Sequence, residues 1–283
     1  MNINWYPGHM KKSLDSIRES MKMVDIVCEL VDARIPVSSR NPVIDDIIKD
    51  FPRLIIFNKS DMADPKETKK WIEYFNKQNI EVIEYNSTRD NKTNELYKTA
   101  RKVLKELFDK RNAKNIQDKT IKMMIVGIPN VGKSTFINNI SKRKGAKVGN
   151  RPGVTRTNQW IKTNNDLMLL DTPGVLWPKL ELHDNGKNLA FTGSIKDEIL
   201  NIEDLAFDYL KYMQENESEK LEKRYKIDSN KETIEIMDEI AKKTGSIVRN
   251  QEIDYFKVSN IIFDDFRKLR IGRITLEKVE DFK

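Results

Sequence analysis

The octapeptide GIPNVGKS at residues 127–134 constrains this chain more than any other stretch. It satisfies the spacing G-x-x-x-x-G-K-S and stands between an apolar run, KMMIV, and a segment carrying Phe136, Ile137 and Ile140 at helical spacing. A strand that turns through glycines into a helix aims backbone N–H groups and the positive end of the helix dipole at one spot, which makes a phosphate cradle. Gly127 and Gly132 permit the turn, and Asn130, Val131 and Thr135 complete the loop. Lys133 is placed to reach β- and γ-phosphates, and Ser134 to offer its hydroxyl to Mg2+. The chain is therefore expected to contain a P-loop α/β domain.

Two further stretches say which nucleotide. LMLLDTPG at 167–174 puts Asp171 at a strand end, where its carboxylate can hold Mg2+ through water, and Gly174 where a backbone N–H can sense a γ-phosphate. FNKSD at 57–61 closes the apolar run RLIIF with Asn58, Lys59, Ser60 and Asp61. A carboxylate at Asp61 accepts from both N1–H and the 2-amino group of guanine; adenine offers neither and would leave it unpaired. Asn58 is expected at the other edge of the base and the Lys59 stem along its face. Asn86 and Ser87, in EYNST at the end of the next apolar run, are candidates for a further base contact. GTP and GDP are the expected substrate and product.

The motif order is unusual: base-reading FNKSD precedes the P-loop. In a doubly wound sheet these loops all lie at the carboxyl ends of strands, so joining the old termini and opening another loop keeps the site intact. A circular permutation is the expected explanation. Apolar runs at DIVCELVDA, RLIIFNK, IEVIEYN, IKMMIVG, QWIKT and DLMLLD alternate with helical patterns, which predicts a doubly wound, mostly parallel sheet. Leu96, Ala100, Val103, Leu104 and Leu107 predict one long helix. Beyond residue 175 the stripes Ile199, Ile202, Ala206, Leu210, then Ile234, Met237, Ala241, then Val258, Ile262, Phe266, Leu269 predict a smaller all-α domain. The boundaries expected are 1–178 for the GTPase domain and 179–283 for the helical one. QENESEKLEKRYKIDSNKE reads as exposed surface or a mobile connection.

Composition narrows the setting. No apolar run approaches the ~20 residues a bilayer demands, and the N-terminus lacks an apolar leader, so a cytoplasmic protein without a membrane partner is expected. The lone Cys28 lies in an apolar run and reads as a buried small hydrophobe. Residues 1–174 hold 32 Lys+Arg against 21 Asp+Glu, and residues 175–283 hold 19 against 23. The basic surplus belongs to the motif-bearing part, and it is densest at Lys142, Arg143, Lys144, Lys147, Arg151 and Arg156, which suits contact with a phosphate backbone. Arg267, Lys268, Arg270 and Arg273 are a second, smaller supply of cations.

With WYPGHM at the start, DARIP at 32–36, GIPNVGKS, RPGVTR and DTPGVLWP in this permuted order, the whole chain resembles the circularly permuted ribosome biogenesis GTPases. The resemblance implies a cytoplasmic GTP hydrolase that binds the immature large ribosomal subunit and its rRNA, not DNA, and promotes late assembly, with an RNA-contacting C-terminal domain. A monomer is expected. Thr155 in RPGVTR is the expected switch hydroxyl on Mg2+, with Thr157 the alternative register. At its P-loop position, Asn130 is implied to help hold K+. Many GTPases carry a water-orienting glutamine directly after D-x-x-G; here Val175 stands there, so slow intrinsic hydrolysis is expected. His9, which the permutation brings next after the switch, is the candidate to position the water; His183 reads as an ordinary exposed residue. Two alternatives stay open: an RNA-binding scaffold that holds GTP with little turnover, and another P-loop NTPase not acting on ribosomes.

Overall fold

The computed structural model describes residues 2–3, 8–116, 118–141, 158–163, 166–177, 180–181, 184–195 and 197–282. They divide into two compact units, Met1–Asn185 with Thr275–Lys283, and Gly186–Ile274. The strands, in chain order, are β1 (Asn2–Ile3), β2 (Ile26–Asp32), β3 (Arg53–Asn58), β4 (Glu81–Glu84), β5 (Ile121–Val126), β6 (Gln159–Lys162), β7 (Leu167–Asp171) and β8 (Leu180–Glu181). The helices are α1 (Gly8–Ser20), α2 (Pro42–Ile48), α3 (Pro65–Lys77), α4 (Thr93–Val103), α5 (Lys105–Ala113), α6 (Lys133–Ser141), α7 (Asp184–Phe191), α8 (Ile202–Asn216), α9 (Ser218–Tyr225), α10 (Thr233–Thr244) and α11 (Tyr255–Arg267).

In the first unit a six-stranded sheet runs in the order β4-β3-β2-β5-β7-β6, with β6 antiparallel to β7 and every other pair parallel. A separate antiparallel pair joins β1 to β8. All seven residues of β2 are buried, as a parallel strand covered on both faces requires. Its Cys28 is fully buried, and burial raises the thiol's pKa well above the ordinary value, which keeps it an inert packing group. Strand β3 enters a 3-10 turn, Ser60–Met62, and then α3, where the Asp64 carboxylate caps the N–H groups of Lys66 (2.7 Å) and Glu67 (3.2 Å) and Pro65 occupies the first turn. That helix buries Trp71 and Phe75 in a cluster with Val31, Ala33, Ile55, Phe57, Ile80 and Val279.

Three local features differ from the sequence pattern. The long helix predicted over 96–107 is two, α4 and α5, meeting at Leu104 (φ −91°, ψ 21°), which leaves Leu96, Ala100, Leu104 and Phe108 buried. The charged stretch around 218–227 is ordered as α9 because Leu221, Tyr225 and Ile227 supply enough burial to fix it. In α10 the buried face is Ile236, Met237, Ile240 and Ala241, and Ile234 is 45% exposed.

The second unit is helical as expected. Its core joins Leu205, Tyr209 and Met213 of α8 to Ile236 and Ile240 of α10 and to Val258, Ile262, Phe263 and Phe266 of α11. Arg267 is a clamp inside this unit: it donates to the carbonyls of Phe191 (2.9 Å) and Ala190 (2.7 Å) and pairs with Asp197 (2.6 Å), so its charge is spent internally. Arg270 likewise donates to the buried Asp265 (3.0 Å). The expected split at 178/179 differs from this division chiefly because Thr275–Lys283 belongs to the first unit. Among the described residues no helix is long and apolar enough to cross a membrane.

Candidate functional site

Five strands deliver their carboxyl ends to one edge of the sheet: Asp32 from β2, Asn58 from β3, the loop at 85–90 after β4, the P-loop after β5, and Asp171 from β7. The register of β5 with β7 sets Asp171 opposite Ile125, two residues before the P-loop begins.

The P-loop needs its glycines because a β-carbon at Gly127 or Gly132 would clash. At Gly127 (φ +152°) a Cβ would lie 2.7 Å from the carbonyl oxygen of Leu30 in β2. At Gly132 (φ +101°) it would lie 2.4 Å from the side-chain nitrogen of Asn58. Lys133 opens α6, is 8% exposed, and donates from Nζ to the loop's own carbonyls at Gly127 (2.8 Å) and Ile128 (3.0 Å). Burial lowers its pKa to about 8, against the opposing pull of the Asp171 charge. Phosphates demand the charged form, so guanine-nucleotide affinity is expected to weaken as pH rises through about 8, by at most tenfold per unit. Titration of a fluorescent GDP between about pH 7 and about pH 9 checks this; a flat profile would mean that the ammonium stays charged across the range.

The base-reading and phosphate loops are bonded to one another. Asn58 is buried; its Nδ2 donates to the Val131 carbonyl (2.7 Å), and its Oδ1 accepts from the N–H (3.1 Å) and hydroxyl (2.7 Å) of Ser87. One amide N–H of Asn58 thus remains to meet an acceptor on a base. Lys59, in the left-handed region (φ 57°), stretches from its loop to the P-loop, donating from Nζ to Asp32 (2.9 Å) and to the Asn130 carbonyl (3.1 Å). Ser60 donates from its hydroxyl to the Tyr85 carbonyl (3.3 Å). Asp61 is half-buried, and among the described residues its carboxylate makes no hydrogen bond or ion pair. In the loop at 85–90, Asn86 Oδ1 accepts from the N–H (2.9 Å) and hydroxyl (2.6 Å) of Thr88, and the Ser87 carbonyl accepts from Asn139 of α6 (3.2 Å). Asn86 and Ser87 therefore shape the loop and brace Asn58.

On the phosphate side Ser134 and Thr135 are half-buried at the start of α6 and Asp171 is buried. A hydroxyl and a carboxylate are hard oxygen donors, the set that suits Mg2+. Gly174 packs so tightly that a Cβ would come within 2.8 Å of Lys133 Nζ and 2.9 Å of the Pro129 nitrogen, so the D-x-x-G and P-loop turns share one wall. Val175 is fully buried, and its carbonyl accepts from Asn41 Nδ2 (2.8 Å). Thr155, Thr157 and the basic run 142–156 lie outside the described residues, as does the side chain of His9, which falls in the first turn of α1. His183 is also outside them.

Sequence reasoning missed Asp32 and Arg34. Arg34 donates to the Asp32 carboxylate from Nε (2.9 Å), Nη2 (2.7 Å) and its own backbone N–H (3.1 Å). Burial disfavours the Asp32 anion, yet Arg34 and Lys59 outweigh it and hold the carboxyl well below the usual range. The available signal was an Asp at the end of an otherwise largely apolar strand, with an Arg two residues on.

Residues 122–250 match the family described as 50S ribosome-binding GTPase. The chain is 47% identical to ribosome biogenesis GTPase A of Bacillus licheniformis, over 99% of this chain and 100% of that protein. It is 33% identical to mitochondrial ribosome-associated GTPase 1 of Bos taurus, over 74% of this chain and 64% of that protein. The solved structure of GDP-bound YlqF from T. maritima superposes with a TM-score of 0.70 at 26% identity, covering 94% of this chain and 99% of that one.

Proposed function

The chain belongs to the ribosome biogenesis GTPase A family, and from that premise we propose that it binds the immature large ribosomal subunit in the cytoplasm and promotes late assembly. It is a circularly permuted P-loop GTPase, a hydrolase that converts GTP and water to GDP and phosphate. The observation that carries the reading is the pair of bonds from Asn58 to Val131 and from Lys59 to Asn130, which make one nucleotide site from two distant stretches.

In the proposed reaction Asp61 and Asn58 hold guanine, and Lys133 and the backbone of residues 130–135 hold the phosphates. Ser134, Asp171 and Thr155 would hold Mg2+, which would offset phosphate charge. A water oxygen bonds to the γ-phosphorus as the bond to the β–γ bridging oxygen breaks, GDP leaves with that oxygen, and the water's proton ends on the released phosphate or in solvent. The buried Val175 side chain cannot orient that water. The assignment of this task to His9 rests on the permuted order, which makes the N-terminal segment the continuation of the switch after Asp171. Asn130, with its left-handed backbone (φ 59°) in the P-loop turn, is the proposed K+ ligand. Contact with rRNA falls to exposed cations such as Lys223 and Arg273, whose side chains make no ion pair among the described residues, rather than to Arg267.

The test is GTP turnover in K+ or Na+ buffer, alone and with purified large subunits at low and high salt. Slow turnover alone, K+ dependence, and stimulation of up to roughly 10³–10⁵-fold are expected. His9→Ala is expected to keep GTP affinity and lose the stimulation. Salt-sensitive subunit binding without stimulation would replace the reading with a GTP-holding scaffold, and absence of both would move the partner off the ribosome.

A further inference from the structure

None of the nucleotide motifs calls for the segment that follows the helical unit, yet that segment, Thr275–Phe282, is anchored beside them. Val279 is buried in the Trp71 and Phe75 cluster, and the Phe282 ring lies 5.4 Å from Trp71. Trp71 Nε1 donates to the Glu277 carbonyl (2.9 Å) and Lys70 pairs with Glu280 (2.8 Å).

Two attachments bear on base recognition. Thr275 Oγ1 accepts from the N–H of Asp64 (3.0 Å), the cap that ends the turn carrying Asp61. Leu276 N–H donates to the Arg34 carbonyl (2.8 Å). Between them and the turn after β2 sits Glu277, 3% exposed, whose carboxylate accepts from the consecutive N–H groups of Val37 (2.6 Å) and Ser38 (2.9 Å) and from the Ser38 hydroxyl. Paired backbone N–H groups on a buried anion make strong, directional bonds. The far side of the same turn holds Asp32: Ser39 Oγ accepts its N–H (3.0 Å) and Arg34 clamps its carboxylate. Asp32 in turn holds Lys59, which reaches the P-loop at Asn130. A contiguous set of bonds therefore runs from Glu277 to the phosphate cradle.

We infer that Glu277 is a positioning residue of the nucleotide site: by fixing the 34–39 turn it keeps Asp32, Arg34 and Lys59 in the arrangement that receives guanine. Without it the turn samples other arrangements, and apparent affinity falls by the fraction of molecules still competent. Glu277 touches no reacting group, so turnover at saturating GTP is kept.

The experiment is Glu277→Gln in the full chain, with GDP and GTP affinity, KM, kcat and unfolding temperature measured together. A rise of roughly tenfold in Kd and KM with kcat unchanged is expected. A double-mutant cycle with Lys59→Met is the decisive arm, because the Glu277→Gln effect on Kd is expected to shrink greatly once Lys59 no longer reads the turn. A lowered unfolding temperature with Kd unchanged, or a Kd effect that simply adds to that of Lys59→Met, overturns the inference. Ser38→Ala removes one of the same bonds at smaller cost; it is expected to show a few-fold version of the affinity loss with the same coupling, and supplies the answer if Glu277→Gln does not fold.

Discussion

Asp61→Asn is expected to lower affinity for GTP by about 10⁴-fold and to create binding of xanthosine triphosphate in its place. The argument is a count of donors and acceptors. Guanine presents two donors on its Watson–Crick edge, N1–H and the 2-amino group, and a carboxylate accepts both. An asparagine accepts one and turns its own amide N–H groups toward the other, where two donors then meet. Xanthine carries a carbonyl at C2, so donor and acceptor match again. Asp61 is half-buried, with no bond to any described residue, so the substitution disturbs little besides the base contact. Competition of GTP and xanthosine triphosphate against a fluorescent GDP on the variant reads the switch directly. Retained GTP affinity would remove Asp61 from base recognition and leave Asn58 to account for it.

The second large effect is expected at Gly132→Ala. A methyl group there meets the Asn58 amide nitrogen at 2.4 Å and forces a β-carbon into a backbone at φ +101°. Strain of about 1–3 kcal/mol adds to loss of the buried Asn58–Val131 bond, about 1–3 kcal/mol. Because Asn58 is also held by Ser87, it cannot step aside without dragging the loop after β4. Nucleotide affinity is therefore expected to fall by roughly 10²-fold or more along with stability. Gly245→Ala is the matched control. That glycine ends α10 at φ +67°, but nothing lies within 4 Å of its β-position. It is expected to cost about 1 kcal/mol of stability with no change in nucleotide affinity. Equal loss of binding in both variants would mean that stability alone sets it.

The parts of the site that were readable in the sequence are those where chemistry demands fixed residue types at fixed spacing. GIPNVGKS, NKSD and DTPG each sit at the end of an apolar run, and in a parallel sheet such ends gather at one edge whatever their order in the chain. What escaped notice has no period and no composition of its own. Glu277 is one glutamate in a charged segment, and its role depends on two N–H groups far away in the chain. Arg267 looked like a cation for RNA because a helical pattern does not reveal that the carbonyls of Ala190 and Phe191 lie beside it. The break at Leu104 escaped for a related reason: Leu96, Ala100, Leu104 and Phe108, spaced by four, fit one straight helix as well as two short ones.

The return of Thr275–Lys283 to the first unit has a consequence for the order in which the protein matures during synthesis. Every nucleotide motif has been translated by Gly174, but the cluster around Trp71 lacks Val279, and the turn beside Asp32 lacks Glu277, until the helical unit has also been made. A nascent chain that already carries all the GTP-binding residues is thus still missing part of the core beneath them. Full affinity for nucleotide is therefore expected only after the helices have been made, so the helical unit is already present when the GTPase core is complete.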